Sequence, residues 1–299
     1  MLPQILEGRI RKYLEDSNDG APGMSDEAMD EACEILRTAL DRAFNQTRSN
    51  FKVSMSAAGR PACQLVMQRN GVEPIKKTAG FAMKMLIGHI TEAVLMSVIR
   101  SSNIPVESAH GKVDLPLDDH VSVRGTYDLE VDGEIWDIKS ASHWSFRNKW
   151  VAGGFEAVEA SDSFGYCAQL YGYSKASGKA VGGWFVVDKE SGDIAVVKAK
   201  DTPEYRKKHL TKLRESTYKV LDLDREFTRE FEDEPEKFRS KETGNRKLGF
   251  ECSWCDFKEA CWPGIKHLPE IPSKAKNKKL IWYTHVAAKE AEVTGDATK

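Results

Sequence analysis

The chain has 299 residues, 40% of them hydrophobic and 30% charged, which is the composition of a soluble globular protein with one large α/β domain or two smaller ones. Its most apolar stretch, 81–99, is interrupted by Lys84, His89 and Glu92, so we expect no membrane span. The first residues lack a signal-peptide pattern, so we expect a cytoplasmic protein without disulfides, and the net charge of −2 neither indicates nor excludes nucleic-acid binding.

The order of the predicted elements indicates an α/β fold in which a mixed sheet is flanked by helices. Apolar periodicity, caps and breakers predict helices over 2–46 (broken near 18–23), 55–69, 79–102, 162–176 and 202–222, the last continuing into a charged segment that reaches 241. Alternating apolar runs predict strands over 119–131, 134–140, 180–187 and 193–199, with a loop over 143–161. We expect three regions: N-terminal helices over 1–54, a core over 55–262 and a lysine-rich, flexible extension over 263–299.

Asp132 and Gly133 form the most specific local signal, because an Asp-Gly pair between alternating apolar runs favours a two-residue hairpin turn. This turn sets a register in which Asp128 faces Asp137, with Lys139 on the same side of the sheet. Two opposed carboxylates repel each other unless a cation lies between them. The hairpin therefore predicts a divalent metal site, and a solvated face of ordinary charges is the alternative.

Two helices carry polar side chains at helical spacing. Gly88 and Glu92 share a face of the apolar helix and His89 lies on an adjoining face, so Glu92 or His89 could reach a metal. Gln169 and Tyr173 share a face of the next helix, where they could orient substrate, lysine or phosphate. The alternative in each case is a core helix with half-buried polar or aromatic residues.

The predicted loop after the hairpin interleaves basic and aromatic side chains. These are His143, Trp144, Phe146, Arg147, Lys149 and Trp150. This pattern suits single-stranded nucleic acid, whose bases stack on rings while its phosphates contact cations. A loop anchored by its own aromatic side chains is an equally good interpretation.

Three of the six cysteines, Cys252, Cys255 and Cys261, lie at the compact spacing of metal ligands. Thiolates in a reducing compartment suit zinc or an iron–sulfur cluster. A fourth ligand would come from a distant part of the chain. We favour Cys63 for it, and Cys33 is the alternative.

Three motifs in this order, Gly125-x2-Asp128, Asp137-x-Lys139 and Gln169-x3-Tyr173, resemble the PD-(D/E)xK nuclease superfamily in its RecB-like exonuclease branch. Gly88-x3-Glu92 resembles the helix motif that precedes the hairpin in that family. An upstream cysteine with a C-terminal Cys-x2-Cys-x5-Cys resembles its iron–sulfur members, such as CRISPR-associated RecB-like exonucleases and the nuclease domain of AddB. The resemblance spans about 55 to 262, most of the chain.

Two positions depart from the family pattern. Asp137 stands where many relatives have Glu, and Glu92 stands where the iron–sulfur relatives often have His. The chain also has no Gly-x4-Gly-Lys-Ser/Thr phosphate loop, so the helicase part of RecB-like machines is missing and a stand-alone nuclease is implied.

The resemblance implies a restriction-endonuclease-like core and a C-terminal segment held by a 4Fe-4S cluster, with zinc as the alternative. It implies Mg²⁺ or Mn²⁺ on the carboxylates of Asp128, Asp137 and Glu92 (or on His89) and on the carbonyl of Ile138. Lys139 would position the attacking water. The cluster would be structural, and a redox role stays open.

The implied function is a metal-dependent DNA exonuclease that acts on single-stranded ends, with the 5′→3′ direction favoured by the resemblance. Such enzymes serve DNA recombination, repair, or CRISPR and viral DNA processing, in bacteria, archaea or virus-infected cells. A recombination or helicase partner fits this function, and a membrane does not. Two alternatives are a DNA-binding scaffold without catalysis and a zinc-stabilised binding module.

Overall fold

A computed structural model describes residues 1–20, 23–45, 51–76 and 78–287 of the protein, and the chain divides into two units. The first unit comprises Met1–Leu65 and Lys76–Arg225, and the second comprises Val66–Ile75 and the chain from Glu226 onward. The expected boundary at 54 therefore falls inside the first unit and that at 262 inside the second. Residues 288–299 of the expected extension lie outside the described residues.

A five-stranded mixed sheet forms the centre of the first unit and confirms the predicted α/β architecture. Its strands, in spatial order, are β1 (Val106–Pro116), β2 (Ser122–Val131), β3 (Glu134–Ala141), β4 (Ala180–Asp188) and β5 (Ile194–Lys198). All neighbours are antiparallel except β3 and β4, which are parallel. β1 was absent from the sequence prediction, because its residues do not alternate regularly between buried and exposed positions.

The hairpin between β2 and β3 has the predicted register. Asp132 and Gly133 adopt φ values of 55° and 71°, which a two-residue primed turn requires. Val131 pairs with Glu134, and Leu129 pairs with Trp136. The Asp-Gly turn therefore fixes which side chains of the two strands share a face.

Helices cover both faces of this sheet. The first unit contains, or begins, α1 (Pro3–Asn18), α2 (Asp26–Phe44), α3 (Met55–Ala58), α4 (Ala62–Arg69), α5 (Ala79–Ser101), α6 (His143–Ser145), a π-helix (Phe146–Val151), α7 (Gly154–Ala160), α8 (Tyr166–Ser177) and α9 (Pro203–Leu221). The predicted helix over 55–69 is split into α3 and α4. Pro61 stands at the break, where it cannot continue the hydrogen bonds of α3.

Two apolar clusters lie in the first unit. One joins α1 and the C-terminal half of α5 to β2, β3 and β4, and it contains Leu6, Ile10, Leu95, Met96, Trp136 and Phe185. The other joins α3, α7, α8 and α9 to the sheet and contains Met55, Phe155, Leu170, Tyr171, Trp184 and Leu213. By length and composition α5 could also cross a membrane, but its buried C-terminal half is compatible with a soluble protein.

The segment 143–161 is not the loop that the sequence predicts, because α6, the π-helix and α7 occupy it. Its aromatic side chains explain the difference. Phe146, Trp150 and Phe155 are buried in the core beside Trp184 and Tyr205. Burial of these rings orders the segment through contacts distant in sequence, which local composition does not show.

The second unit is built on a four-stranded antiparallel sheet. Its strands, in spatial order, are β6 (Asp233–Phe238), β7 (Lys241–Leu248), β9 (Leu280–His285) and β8 (Lys266–Pro269), and it also holds α10 (Phe250–Trp254) and α11 (Lys258–Cys261). β6 lies in the predicted charged segment, and β8 and β9 lie in the expected flexible extension. β6 and β8 carry no regular apolar alternation, so sequence periodicity did not reveal them, whereas β9 contains an apolar run, 280–283, that the sequence prediction missed.

Candidate active site

β2 and β3 bring Asp128, Asp137 and Lys139 together. Main-chain pairing between these strands ends at Leu129 and Trp136, one residue before the two aspartates. The Asp128 Oδ2 atom then accepts a hydrogen bond from the Ile138 N–H at 2.6 Å. Asp137 is 2% exposed and forms an ion pair with the Lys139 ammonium, which is 18% exposed. The predicted convergence of these three side chains is therefore present.

The charges at this site act strongly on one another. The pKa of Asp128 lies well above its ordinary value because of burial first, and then because of the charges of Asp137 and Glu92. Burial also raises the pKa of Asp137, although the Lys139 ammonium opposes this shift. For Lys139 burial alone would lower the pKa, but the Asp137 and Asp128 carboxylates outweigh it and raise the pKa. The site thus concentrates more negative charge than one lysine neutralises.

Glu92, which lies on α5, interacts electrostatically with both aspartates. Gly88 brings this helix close to β3, because a Cβ atom at Gly88 would lie 3.5 Å from Ser140 Oγ. The Glu92 charge raises the pKa of both Asp128 and Asp137. His89 stands beside it, with 3.8 Å between His89 Nδ1 and Glu92 Oε2. Glu92 therefore acts on both aspartates, and the choice between Glu92 and His89 as the metal ligand stays a prediction.

Helix α8 supplies Gln169 and Tyr173 to the same region. Gln169 Nε2 donates to Tyr173 Oη at 3.1 Å, and both residues are buried. The Tyr173 ring lies against Gly125, where an added Cβ atom would come within 2.6 Å of the ring. Burial and the charge of Asp137 raise the pKa of Tyr173, so its hydroxyl stays protonated and able to donate. The three motif positions thus meet in space.

Tyr166, at the start of α8, was not among the predicted site residues. The Lys139 ammonium lies over its ring, 5.1 Å from the centroid. Asp162 fixes this end of the helix by accepting the Tyr166 and Cys167 N–H groups at 2.7 and 2.9 Å. A tyrosine after Gly165 carries no catalytic signature in sequence, so only the fold reveals its contact with the lysine.

The donor types at the site fit a hard divalent cation, since Asp128, Asp137 and Glu92 all offer carboxylate oxygens. Burial is the main cause of the raised pKa values of the two aspartates, and the charges of neighbouring acids add to it, so a cation would stabilise their ionised forms. In the described residues, however, no three His, Cys, Asp or Glu side chains already surround a common metal position. The nearby partners of the aspartates are instead Lys139 and the Ile138 N–H.

The four predicted DNA-contacting residues have different surroundings. Trp144 is 72% exposed, and Arg147 is exposed with a loose ion pair to Asp193 at 3.8 Å. The Lys149 ammonium donates to the Ser161 carbonyl at 2.8 Å. Trp150 differs from the prediction, because its buried ring lies 5.6 Å from that of Trp184 and offers no surface to a base.

The three C-terminal cysteines lie together in the second unit. Burial, and then the charges of Cys261 and Cys255, raise the pKa of the Cys252 thiol to about 11. Cys255 Sγ accepts the Phe257 N–H at 3.4 Å, and Arg229 donates to the Cys261 carbonyl at 2.6 and 3.0 Å. None of the six cysteines, all of which lie in the described part of the chain, forms a disulfide.

The two candidates for a fourth ligand, Cys63 and Cys33, both belong to the first unit. Cys63 lies on α4 and is half-buried, whereas Cys33 lies on α2 and is exposed. The choice between them therefore stays a prediction.

Comparisons with known proteins add little to this geometry. No protein-family model matches the chain, and no curated protein matches it. One solved structure, that of SSO0001, aligns with 76% of this chain and 94% of its own, with 13% identity and a TM-score of 0.44. A likeness at this level carries no argument about family or activity.

Proposed function

We propose that this protein is a nuclease of the PD-(D/E)xK superfamily that hydrolyses DNA phosphodiester bonds with Mg²⁺ or Mn²⁺. The observation that carries the proposal is the convergence of Asp128, Asp137 and Lys139 at the point where β2 and β3 cease to pair. Buried acids with raised pKa values, such as these two, cluster at functional sites. The same residues carry the family motifs in the sequence.

A divalent cation bound by Asp128, Asp137 and Glu92, with the Ile138 carbonyl as a further oxygen, would supply an activated water and neutralise phosphate charge. Lys139 is the cation that the chain itself provides. Its ammonium is held by Asp137 and the Tyr166 ring, so it stays charged and oriented toward a bound phosphate.

Gln169 and Tyr173 form the wall beside this centre. Their mutual hydrogen bond fixes the amide and the hydroxyl in one arrangement. The protonated Tyr173 hydroxyl can donate to a phosphate oxygen without changing the charge of the site. We assign these two residues to substrate orientation.

A single strand with a free end is the substrate we propose. Trp144 exposes a stacking surface, and Arg147 exposes a cation only three residues later. Cleavage from the 5′ end, cytoplasmic location and a recombination or helicase partner belong to the proposal through the family resemblance alone.

A 4Fe-4S cluster on Cys252, Cys255 and Cys261 completes the proposal, with Cys63 as the fourth ligand and zinc as the alternative metal. The charge of Cys261 acts on the pKa of both Cys252 and Cys255, which supports a metal or cluster shared by these thiols. Soft thiolates favour both metals, so colour decides between them. Purification under exclusion of oxygen should give brown protein, and Cys63→Ser but not Cys33→Ser should lose iron.

The decisive experiment incubates the full-length protein with end-labelled single- and double-stranded DNA in the presence of Mg²⁺, Mn²⁺ or EDTA. We expect metal-dependent shortening of the single strand from one end, and none with Asp137→Ala. Labels at the 5′ and 3′ ends reveal the direction. Binding of DNA without cleavage in any metal would instead support a non-catalytic scaffold. If the protein neither binds nor cleaves DNA, nucleic acid is excluded as its substrate.

A further inference from the structure

A second charged pair lies where β3 and β4 end. His143 begins α6 two residues after the last residue of β3, and Asp188 is the last residue of β4. His143 Nδ1 lies 2.6 Å from Asp188 Oδ2. Asp188 is fully buried, whereas the His143 side chain is 46% exposed. Because β3 and β4 are parallel, their carboxyl ends bring together two residues that are far apart in sequence.

The surroundings of Asp188 determine how the imidazole is held. Asp188 accepts the Glu190 N–H and the Ser191 hydroxyl, each at 2.9 Å. Although burial would raise its pKa, these bonds and His143 lower the pKa of Asp188 to about 2. Asp188 is therefore an ionised acceptor, so Nδ1 of His143 carries the hydrogen and donates. The other ring nitrogen, Nε2, has no bonding partner in the described part of the chain.

Other charged groups surround this imidazole. From the β4–β5 turn, Glu190 accepts the His143 N–H at 3.3 Å. Lys189 follows Asp188, and its pKa is lowered by burial and by the nearby charge of Lys84 on α5. On the same segment as His143, Arg147 is exposed. The Asp193 side chain, on the same turn as Glu190, is 42% exposed and lies 3.8 Å from Arg147. Three exposed cations, Lys84, Lys189 and Arg147, therefore face two carboxylates at the surface, Glu190 and Asp193.

We propose that the imidazole of His143, oriented by Asp188, binds a backbone phosphate of the DNA strand while Trp144 stacks on an adjoining base. The inference rests on the proposed nuclease function and adds a residue to its substrate path. His143 follows Lys139 by four residues, so the two residues lie at most about 13 Å apart, which corresponds to no more than about four nucleotides at duplex spacing. Asp188 is a positioning residue, because it acts through His143.

Two substitutions separate phosphate binding from a merely structural tether. His143→Asn keeps a donor near the position of Nδ1, and so keeps the bond to Asp188, but it removes Nε2. His143→Gln places a donor near the position of Nε2 and gives up the bond to Asp188. His120→Asn, which changes an exposed histidine before β2, is the matched control.

The probe is fluorescent oligo-dT bound in EDTA, which prevents cleavage. At slightly acidic pH we expect His143→Asn to weaken binding about tenfold and to reduce the slope of log affinity against log salt by about 0.7, the effect of one lost phosphate contact. His143→Gln should restore part of the affinity while lowering the thermal midpoint.

The opposite order of the two variants would overturn the inference. If His143→Asn binds like wild type while His143→Gln binds weakly, the pair is only a tether. Asp137→Ala serves as the reference for the proposed function, since it should stop cleavage and retain binding. Unchanged binding in His143→Asn with normal loss of cleavage in Asp137→Ala refutes the inference alone, whereas a wild-type protein that neither binds nor cuts refutes both.

Discussion

Asp137 in the first unit and Glu236 in the second are equally buried, at 2% and 3% exposure, yet their surroundings differ. Glu236 accepts hydrogen bonds from Tyr283 Oη at 2.5 Å, Asn245 Nδ2 at 2.7 Å and Thr243 Oγ1 at 2.9 Å. Asp137 has the Lys139 ammonium beside it and shares a hydrogen bond with another acid, Asp128. The donors around Glu236 satisfy its negative charge, whereas the surroundings of Asp137 leave negative charge in excess.

The pKa values of the two acids move in opposite directions as a result. Burial would raise the pKa of Glu236, but its three donors lower it. Burial raises the pKa of Asp137, and Lys139 does not compensate. Burial alone therefore does not mark a functional carboxylate. The number of donors around it decides whether the group stabilises the fold or gains from a ligand that arrives later.

The largest expected effect is on cleavage. Asp137→Ala should lower kcat on single-stranded DNA by about 100- to 1000-fold or more, since it removes a charged group at the reacting phosphate. In EDTA its thermal midpoint should equal or exceed that of wild type, because the substitution relieves repulsion with Asp128. Asp128→Ala and Lys139→Ala should abolish cleavage as well.

Asp119→Ala, at an exposed acid before β2, is the control for this series and should cut normally. Near-wild-type cleavage by Asp137→Ala would exclude the proposed site.

Glu236→Ala should have the opposite effect on stability. Removing the carboxylate leaves two buried donors, Tyr283 Oη and Asn245 Nδ2, without this acceptor, and we expect a loss of about 2–4 kcal/mol in the free energy of unfolding. Urea unfolding of the full chain measures it, with the exposed Glu242→Ala in β7 as control. A neutral or stabilising effect of Glu236→Ala would erase the distinction between the two acids.

The pH dependence of stability should sharpen the comparison. Asp128 has a raised folded-state pKa, so its charge destabilises the metal-free fold at neutral pH, and this cost disappears as pH falls toward its unfolded value of about 3.9. Asp128→Asn should therefore exceed wild type in stability at neutral pH and match it at about pH 4.

The stability contribution of Glu236 changes with pH in the opposite direction. Its lowered pKa stabilises the fold above the unfolded value of about 4.3, and this contribution is lost as pH falls further. Thermal unfolding of wild type, Asp128→Asn and Glu236→Gln in EDTA over this range checks both signs. If the thermal midpoints of all three proteins change with pH in parallel, the pKa shifts assigned to Asp128 and Glu236 are contradicted.

The smallest expected effect concerns exposed charge. Arg147 has a loose ion pair, whereas Lys149 is bonded to Ser161, so Arg147→Ala should weaken oligo-dT binding by only severalfold and Lys149→Ala by less. The double variant should bind more weakly than either and keep a stability within about 0.5 kcal/mol of wild type. Equal affinity of the double variant and wild type would remove this segment from the DNA path.

Local chemistry explains what could be predicted. The Asp132-Gly133 turn requires positive φ at both residues, and the strand period of two then places Asp128, Asp137 and Lys139 together. Capping and glycine signals likewise predicted α8, which ends at Gly178 with φ of 71°. Each of these features depends on residues close in sequence.

The sequence by itself determined the hairpin, its register, most helices of the first unit and the grouping of its acids, because turn geometry and periodicity are local properties. Only the tertiary structure decided that Trp150 is buried, that the Glu92 charge acts on both aspartates, and that Tyr166 lies under Lys139. It alone paired His143 with Asp188, 45 residues away. Burial and electrostatic partnership arise when distant segments meet, and no local pattern encodes which segments those are.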